Sequence, residues 1–314
     1  MMTNGGENAE AYFSPDNKWF SWQGRWEGTP PADQIWIEPT NGSLPPKMIS
    51  TGGGKTTCSF FIPGTDRIVW CSTHDFSMEP PPEADHKKGY VWRLDEYDVY
   101  SSKTDGTELV RLTDSPGYDA EAAVSPDGKK IVFTSVRDGD LDLYTMDIDG
   151  RNVRRLTDTY GYDGGPFFSP DGEWIIFRSH LPGTDAEKAR YKELFDMKMV
   201  APLRFEIQVM RPDGSERRQV TDLGVASFAP YMHPDGKRVM FCSNHGAQNP
   251  GQRMPVFNLF IINLDGTGLE QVTYGHTFDG FPMWSNDGKM LIWCSNRFGP
   301  HPHSTNVFIA KWKD

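Results

Sequence analysis

The chain has 314 residues and carries 43 Asp and Glu against 32 Lys and Arg, a formal net charge of −11. Nucleic-acid binders neutralise phosphates with clustered Lys and Arg, so this acidic balance argues against a nucleic-acid partner. No apolar run approaches the roughly 18 residues of a membrane-spanning helix, and we expect no membrane span. The four cysteines form no Cys-x-x-Cys pair, which argues against a zinc finger and a disulfide framework.

Residues 1–6 contain no charged segment followed by an apolar stretch, so they do not resemble a secretory signal peptide. The sequence therefore predicts a periplasmic or secreted protein if an upstream signal has been removed. It predicts a cytoplasmic protein otherwise.

An internal repeat organises nearly the whole chain. Its clearest copy has a Ser-Pro-Asp-Gly turn at 125–128, an Asp-Gly pair at 149–150 and Leu-Thr at 156–157. The first turn returns, with variations, at residues 14–17, 62–64, 169–172, 233–236 and 285–288. These copies predict a single domain over 1–314 with six repeats, at approximately 8–50, 56–113, 118–157, 162–221, 226–273 and 278–312.

Each repeat contains signals for four short strands. Asp-Gly between apolar runs favours a type I′ hairpin turn, because that turn requires positive φ. Such pairs occur at 105–106, 149–150, 213–214 and 265–266. Four strands in about 50 residues are typical of a propeller blade. We therefore predict an all-β, six-bladed β-propeller with four-stranded antiparallel blades.

The Ser-Pro-Asp-Gly-Lys and Asp-Gly…Leu-Thr motifs resemble those of the TolB-like six-bladed propeller family, over residues 10–312. The resemblance implies the propeller fold. It does not fix the function, because propellers of this kind scaffold envelope complexes, accompany peptidases or act as lyases.

The last repeat ends in a third strand at 306–312, and two residues follow it. Propellers usually complete such a blade with a strand from the opposite terminus. Thr3 lies where the threonine of a preceding repeat would fall, as Thr113 does before Tyr118. We expect that this is a stub of the missing strand and that the natural protein has more residues upstream.

The first strands of a propeller line its central channel, so their starts meet at one mouth. Aligned on Ser125, the position six residues earlier holds Asn8, Thr56, Asp119, Asp163, Ser227 and Asp279, and the position four residues earlier includes Glu10 and Glu121. Carboxylates meeting there would hold a divalent cation, Ca²⁺ or Mg²⁺, or raise their own pKa values. The alternative is that they cap strand ends.

The loops after the second strands open on the same mouth. They carry His74, Arg137, His180, His245 and Arg297 at or beside equivalent positions. Seven of the eight histidines fall in the loops of this mouth, and we predict a ligand site there. The alternative is that each histidine merely occupies a half-exposed loop.

His301 and His303 have the spacing of a metal-ligand pair. Oligogalacturonate lyases are propellers that this chain resembles, and they use a histidine-bound metal. Their surrounding pattern and a seventh blade are missing here. Convergence with His74 or His245 would strengthen this metal site.

Two insertions, at about 75–96 and 181–203, follow second strands and mark the same face for binding. The first contains three consecutive prolines before Tyr90 and Trp92. The second has a capping box at Thr184 and Glu187, which predicts one short helix near 184–200.

Cys58 and Cys71 lie symmetrically about the turn at 64–65, which predicts that they face each other and could form a disulfide. The glycine-rich run at 52–56 is not a phosphate-binding loop, because Ile49 stands where its first glycine is required. No Gly-x-Ser-x-Gly elbow is present, which argues against nucleophilic hydrolysis.

The leading hypothesis is a non-catalytic propeller that binds a peptide, a glycan or a protein at this mouth. One alternative is a metal-dependent lyase or hydrolase with His74, His180 or His245 as acid–base groups. Another is a detached propeller that filters substrates for a peptidase-like system.

Overall fold

The computed structural model describes residues 1–247, 256–275, 278–299, 301 and 304–313. Six antiparallel sheets form its framework. The first strand of each sheet contacts the first strands of both neighbouring sheets, and the first strand of the first sheet contacts that of the sixth. The sheets are therefore the six blades of a β-propeller, as the repeats predict.

The strands are numbered along the chain. Blade 1 has β1 (Glu7–Phe13), β2 (Trp19–Arg25), β3 (Gln34–Pro39) and β4 (Lys47–Met48). Blade 2 has β5 (Thr56–Phe61) and β6 (Arg67–Ser72), then an insertion with the 3₁₀ helix His86–Lys88 and β7 (Trp92–Arg93), then β8 (Asp98–Lys103) and β9 (Val110–Arg111). Blade 3 has β10 (Asp119–Val124), β11 (Lys130–Ser135), β12 (Asp142–Asp147) and β13 (Arg154–Arg155).

Blade 4 has β14 (Tyr162–Phe168) and β15 (Ile175–His180), then an insertion with α1 (Asp185–Asp196) and β16 (Met199–Val200), then β17 (Glu206–Met210) and β18 (Arg218–Gln219). Blade 5 has β19 (Ser227–Met232), β20 (Arg238–Ser243), β21 (Asn258–Asn263) and β22 (Glu270–Gln271). Blade 6 has β23 (Asp279–Trp284), β24 (Met290–Ser295) and β25 (Asn306–Lys311).

The second strands read as apolar runs because neighbouring blades cover both of their faces. In β11, for example, Ile131, Val132 and Phe133 are all fully buried. The loops of the propeller lie on two faces. The face that carries both insertions and the loops after the fourth strands is here named the insertion face. The face that carries the Ser-Pro-Asp-Gly and Asp-Gly turns is named the turn face.

The Ser-Pro-Asp-Gly turns are fixed by side-chain hydrogen bonds. The Ser125 hydroxyl donates to Asp127 at 2.7 Å and accepts the amide of Lys130 at 2.9 Å. Gly128 has a φ of +71°, which favours glycine. The equivalent serines of blades 1, 4 and 6 make the same two bonds. This geometry explains why the motif recurs.

Each first strand contains a β-bulge. In every blade the residue four positions before the Ser125 equivalent has a positive φ, between +44° and +58°: Glu10, Cys58, Glu121, Gly165, Ala229 and Phe281. A bulge adds a residue to one strand and redirects its side chain. These six residues therefore occupy the same position, at the bulge of the first strand, in all six blades.

The predicted disulfide between Cys58 and Cys71 is wrong, because a bulge in β5 shifts the pairing of the hairpin. Thr57 pairs with Cys71 and Ser59 pairs with Trp70, so Cys58 has no partner position across the hairpin. All four cysteines, at positions 58, 71, 242 and 294, are free thiols.

The sixth blade has three strands in the described chain, as the sequence predicts, and the N-terminal residues lie beside β25. The amide of Met2 donates to the carbonyl of Val307 at 2.7 Å, and the Thr3 hydroxyl accepts the amide of Val307 at 2.9 Å. Thr113 accepts the amide of Val99 in the same way. Thr3 therefore takes the place of a fourth-strand threonine.

The two insertions meet each other on the insertion face. The predicted helix is present as α1, with both bonds of the capping box between Thr184 and Glu187. After it, β16 pairs antiparallel with β7, so that blades 2 and 4 share a small sheet above the blades. None of the helices in the described ranges has the length and apolar character needed to cross a membrane.

Candidate functional site

The central channel contains a small polar cavity. All six bulged residues line it, together with Arg178 of β15. Its volume is about 20 Å³, which accommodates about one water molecule. The bulges therefore bring two of the predicted carboxylates, Glu10 and Glu121, into the channel.

Glu121 and Arg178 form a buried ion pair in this cavity. The Glu121 carboxylate also accepts the Thr134 hydroxyl at 2.7 Å and the Gly165 amide at 2.8 Å. Arg178 donates to the Tyr162 hydroxyl at 2.6 Å. Burial alone would lower the pKa of Arg178, but Glu121, Tyr162 and Tyr118 together outweigh burial and raise that pKa above its usual range. The guanidinium therefore keeps its charge inside the channel.

Two consecutive glycines in β14 make room for this pair. A Cβ on Gly165 would lie 2.2 Å from Nη1 of Arg178, and a Cβ on Gly164 would lie 2.5 Å from the Tyr162 hydroxyl oxygen. Both distances are too short for non-bonded atoms. A larger residue at either position would displace the side chains that surround Glu121.

Glu10 has hydrogen bonds but no ion-pair partner among the described residues. Its Oε2 accepts the Cys58 thiol at 2.8 Å and the Tyr12 hydroxyl at 3.2 Å. Burial raises the pKa of Glu10, and the charge of Glu121 adds to that rise. Burial also raises the pKa of the Cys58 thiol, so Cys58 stays protonated and is a poor nucleophile.

Aromatic rings fill the channel toward the turn face. Tyr12, Phe60, Phe167 and Tyr231 stand two residues before the Ser125 equivalent in four blades, and neighbouring rings have centroids 5.5 to 6.3 Å apart. Three of these four side chains are buried. The polar cavity therefore has a packed floor.

The insertions cover the channel on the other side. Trp92 of β7 lies over the Arg178 guanidinium, with Cζ 5.1 Å from the ring centroid. The same indole contacts Phe205 and Phe228, at centroid distances of 5.7 and 5.6 Å. Because β16 holds β7 in place, the mouth that the sequence marks for ligand entry is roofed by the chain itself.

The other three predicted carboxylates belong to ion pairs within their own blades. Their side chains are fully or almost fully buried, and each accepts an arginine: Asp119 from Arg137 at 2.8 Å, Asp279 from Arg297 at 2.5 Å, and Asp163 from Arg217 at 2.8 and 2.7 Å. These pairs satisfy the charges locally. They do not add to the carboxylates of Glu10 and Glu121 in the channel.

His74, Arg137, His245 and Arg297 occupy equivalent positions, each two residues after the last serine of a second strand. Each donates its backbone amide to that serine hydroxyl. The side chains lie against aromatic rings of their own blades, at 4.5 Å between the His74 and Tyr100 centroids and 4.9 Å from Arg137 Cζ to the Tyr144 centroid. The structure therefore brings each of these residues into the same niche of a different blade.

His180 stands one residue earlier and is placed differently. Its Nδ1 lies 3.2 Å from the carbonyl oxygen of Arg204, which directly follows the second insertion. Burial lowers the pKa of His180, and burial likewise lowers the pKa of His74. Both imidazoles are therefore neutral at pH 7.

The proposed metal ligands are not assembled in the described part of the chain. His301 is exposed, and His303 lies outside the described residues. Within those residues no three His, Cys, Asp or Glu side chains lie together as a metal site. The cation site and the histidine-bound metal both stay predictions.

Sequence reasoning did not place three residues of the channel and its cover: Arg178, Cys58 and Trp92. One signal for Arg178 was available. Gly164 and Gly165 fall inside a strand pattern, where glycine often marks the close approach of another group. Trp92 carried no such signal, because its position depends on pairing between two insertions.

Comparisons with known proteins identify the fold. The sequence matches no protein-family model and no curated protein. A protein described as TolB from Agrobacterium tumefaciens aligns with 98% of this chain and 91% of its own, at 21% identity and a TM-score of 0.66. TolB from Acinetobacter baumannii aligns with 97% of this chain at 16% identity and a TM-score of 0.61, and the aligned part is 64% of that protein, just under two thirds.

An oligogalacturonate lyase in complex with manganese aligns with 99% of this chain and 78% of its own, at 15% identity and a TM-score of 0.57. Likeness at such identities concerns the fold and leaves function open. The chain is a six-bladed β-propeller with the TolB-like fold that its repeats predict.

Proposed function

We propose that this chain is a non-catalytic propeller that binds a protein partner through its insertion face. The observation that carries the proposal is the distribution of exposed apolar side chains. Eight of the thirteen exposed large apolar side chains among the described residues lie in loops of this face: Phe76, Met78, Tyr160, Leu181, Met197, Leu203, Tyr274 and Phe298.

Exposed apolar residues that gather on one face mark interaction sites more often than scattered ones do. Tyr274 and Phe298 are 76% and 82% exposed, and only Leu44, Leu109 and Val153 of the thirteen lie in turn-face loops. Aromatic residues and Met are also enriched at the centres of protein interfaces. The composition of the face therefore favours a protein over a glycan.

The geometry of the channel also favours a partner that binds on the outer surface of the insertion face. Its mouth is roofed by Trp92, and the Glu121–Arg178 pair beneath has its hydrogen bonds satisfied within the chain. A partner that docks on the outside of the insertions would require no opening of this roof. The insertions then serve as the contact surface as well as the cover.

A comparison of two surface variants tests this proposal. The first, Met78→Ser/Leu203→Ser/Phe298→Ser, removes apolar contact area from the insertion face. The second, Leu109→Ser/Val153→Ser, removes similar exposed side chains elsewhere. Proteins captured from the cells that produce this chain are identified on the wild type, and the affinity for each is then measured by titration.

We expect the first variant to bind a captured partner at least roughly tenfold more weakly, because interface cores depend on a few apolar anchors. The second variant should bind as the wild type does. Equal affinity of the wild type and the first variant for every captured partner would contradict the proposal. Circular dichroism melting curves check that both variants are folded.

A further inference from the structure

A groove lies on the turn face, away from the channel and the insertions. It has a volume of about 770 Å³ and runs between blades 1 and 2. Its apolar lining includes Trp19, Ile37, Leu44 and Phe61. Ile37 and Phe61 are buried, whereas Leu44 is 56% exposed at the edge. Volumes of this size are typical of ligand pockets, which lie in the range of about 300–1,000 Å³.

On the turn face, two other blade junctions are bridged by an arginine side chain. At the start of β13, Arg154 donates to the carbonyl of Asp213 in the next blade at 2.9 Å, and Arg218 at the start of β18 donates to the carbonyl of Leu264 at 2.6 Å. Lys47 stands at the start of β4 but makes no such hydrogen bond among the described residues.

The rim of the groove is acidic. Asp16, Asp66 and Asp105 line it and Lys47 is its only basic lining residue within the described chain. Lys18 lies 3.5 Å from Asp16 and offsets part of that charge. Asp66 and Asp105 are exposed and form no ion pair among the described residues. Oδ1 of Asp105 accepts the amide and the hydroxyl of Thr107, so the other oxygen of Asp105 and the carboxylate of Asp66 are left for a ligand beside the apolar lining.

We propose that this groove binds a peptide segment of a partner protein in which a Lys or Arg side chain is flanked by aliphatic or aromatic residues. The cation would pair with Asp66 and Asp105, and the apolar side chains would pack on Trp19, Phe61 and Leu44. The polar groups lie on the rim and the apolar groups on the floor, which suits side chains that project from an extended segment. This site is separate from the insertion face, so either proposal can fail alone.

Fluorescence anisotropy with two labelled peptides tests the inference. The probes are fluorescein-labelled Gly-Ser-Leu-Arg-Phe-Leu-Gly-Ser and the same peptide with Glu in place of Arg. The test variant is Asp66→Lys/Asp105→Lys. The matched control is Asp149→Lys/Asp213→Lys, which makes the same charge change at the Asp-Gly turns of blades 3 and 4. A third variant, Leu44→Ser, removes the exposed apolar contact.

We expect the wild type to bind the Arg peptide at least tenfold more tightly than the Glu peptide. The test variant should lose this preference and the control should keep it, while Leu44→Ser should weaken binding of the Arg peptide several-fold. Equal affinity for both peptides, no binding of either at 1 mM, or an equal loss in the control would overturn the proposal. So would sedimentation that shows a wild-type dimer broken by Leu44→Glu, because a second copy would then fill the groove.

Discussion

Glu38 is a carboxyl group that the fold buries without satisfying it. The residue is 5% exposed in β3, and its Oε1 has no hydrogen-bond partner among the described residues. Burial raises the pKa of Glu38 to about 7, from 4.5. The folded state therefore favours the protonated carboxyl. Its contribution to stability is complete below pH 4.5 and is lost as the pH rises through about 7.

The substitution Glu38→Gln should therefore stabilise the protein at alkaline pH, because glutamine keeps the shape without the charge. Between pH 5.5 and 8.5 the difference in unfolding free energy between variant and wild type should grow by about 2 kcal/mol. Urea unfolding at the two pH values measures this difference. The exposed Glu27→Gln serves as the control and should show little change. A pH-independent difference for Glu38→Gln would contradict the argument.

The loop residues of the insertion face show what the sequence can and cannot reveal about a site. The aligned repeats place Arg137, Arg297, His74 and His245 in one set of positions, and the structure does the same. The aligned repeats do not reveal which groups each of these side chains contacts. Arginine occurs where the first strand begins with Asp119 or Asp279, and histidine occurs where it begins with Thr or Ser. The choice of residue follows the local charge.

At the scale of secondary-structure elements, the bulges decide what enters the channel. The six bulged positions hold Glu, Cys, Glu, Gly, Ala and Phe, so only one of them is the residue type that favours a positive φ. The Asp-Gly turns, by contrast, have glycine where φ is positive, as at Gly106 (+87°), although the preceding aspartates do not share the positive φ that the predicted type I′ turn requires. This is why the hairpins are predictable and the register of β5, with its consequence for Cys58, is not.

The ion pair between the bulged strand β10 and β15 gives a second prediction. Arg178→Met removes the cation from Glu121 and should destabilise the protein by about 3–5 kcal/mol, the usual cost of leaving one buried charge unpaired. Adding Glu121→Gln to that variant should recover at least about 1 kcal/mol, because no charge is then left in the cavity. Urea unfolding of the single and double variants measures both values. Additive losses in the double variant would show that the pair is not coupled.

The roof of the channel could not be predicted from the sequence. The strands β7 and β16 have two residues each and belong to different blades. A strand of two residues is too short to show a periodic pattern. The pairing of β7 with β16 also depends on how blades 2 and 4, which are distant in sequence, are placed in space. The sequence identified the two insertions and the face that carries them. The contact between them follows only from the closed ring.

For the whole molecule, the repeats were sufficient to predict the six blades, because each blade uses the same turn chemistry. At the junction that closes the ring, residues near the N-terminus add hydrogen bonds to the packing between blades 1 and 6. Oδ1 of Asn306 accepts the Gly5 amide at 2.9 Å, and the Asn8 amide donates to the Thr305 hydroxyl at 2.8 Å. These bonds join the last described blade to the first. Unlike the fourth strands of the other five blades, residues 2–3 are not linked by a hairpin to the strand beside them.

Because this hairpin is missing, we predict that the junction between blades 6 and 1 is the least stable junction of the propeller. Thr3→Val removes the hydroxyl that accepts the Val307 amide, and Thr157→Val removes the equivalent acceptor of the Leu143 amide. The two changes are chemically the same, but a hairpin keeps Thr157 close to its partner. Amide hydrogen exchange in each variant reports the local opening of each junction.

We expect Thr3→Val to speed exchange at Val307 by about tenfold, equivalent to about 1.4 kcal/mol of local stability. Thr157→Val should change exchange at Leu143 by clearly less, because the tethered strand returns to its place after each opening. Equal effects at the two sites would mean that the stub is held as firmly as a hairpin strand. The greater effect at Thr3 would instead show that these few N-terminal bonds, and not the repeats, limit the stability of the closed ring.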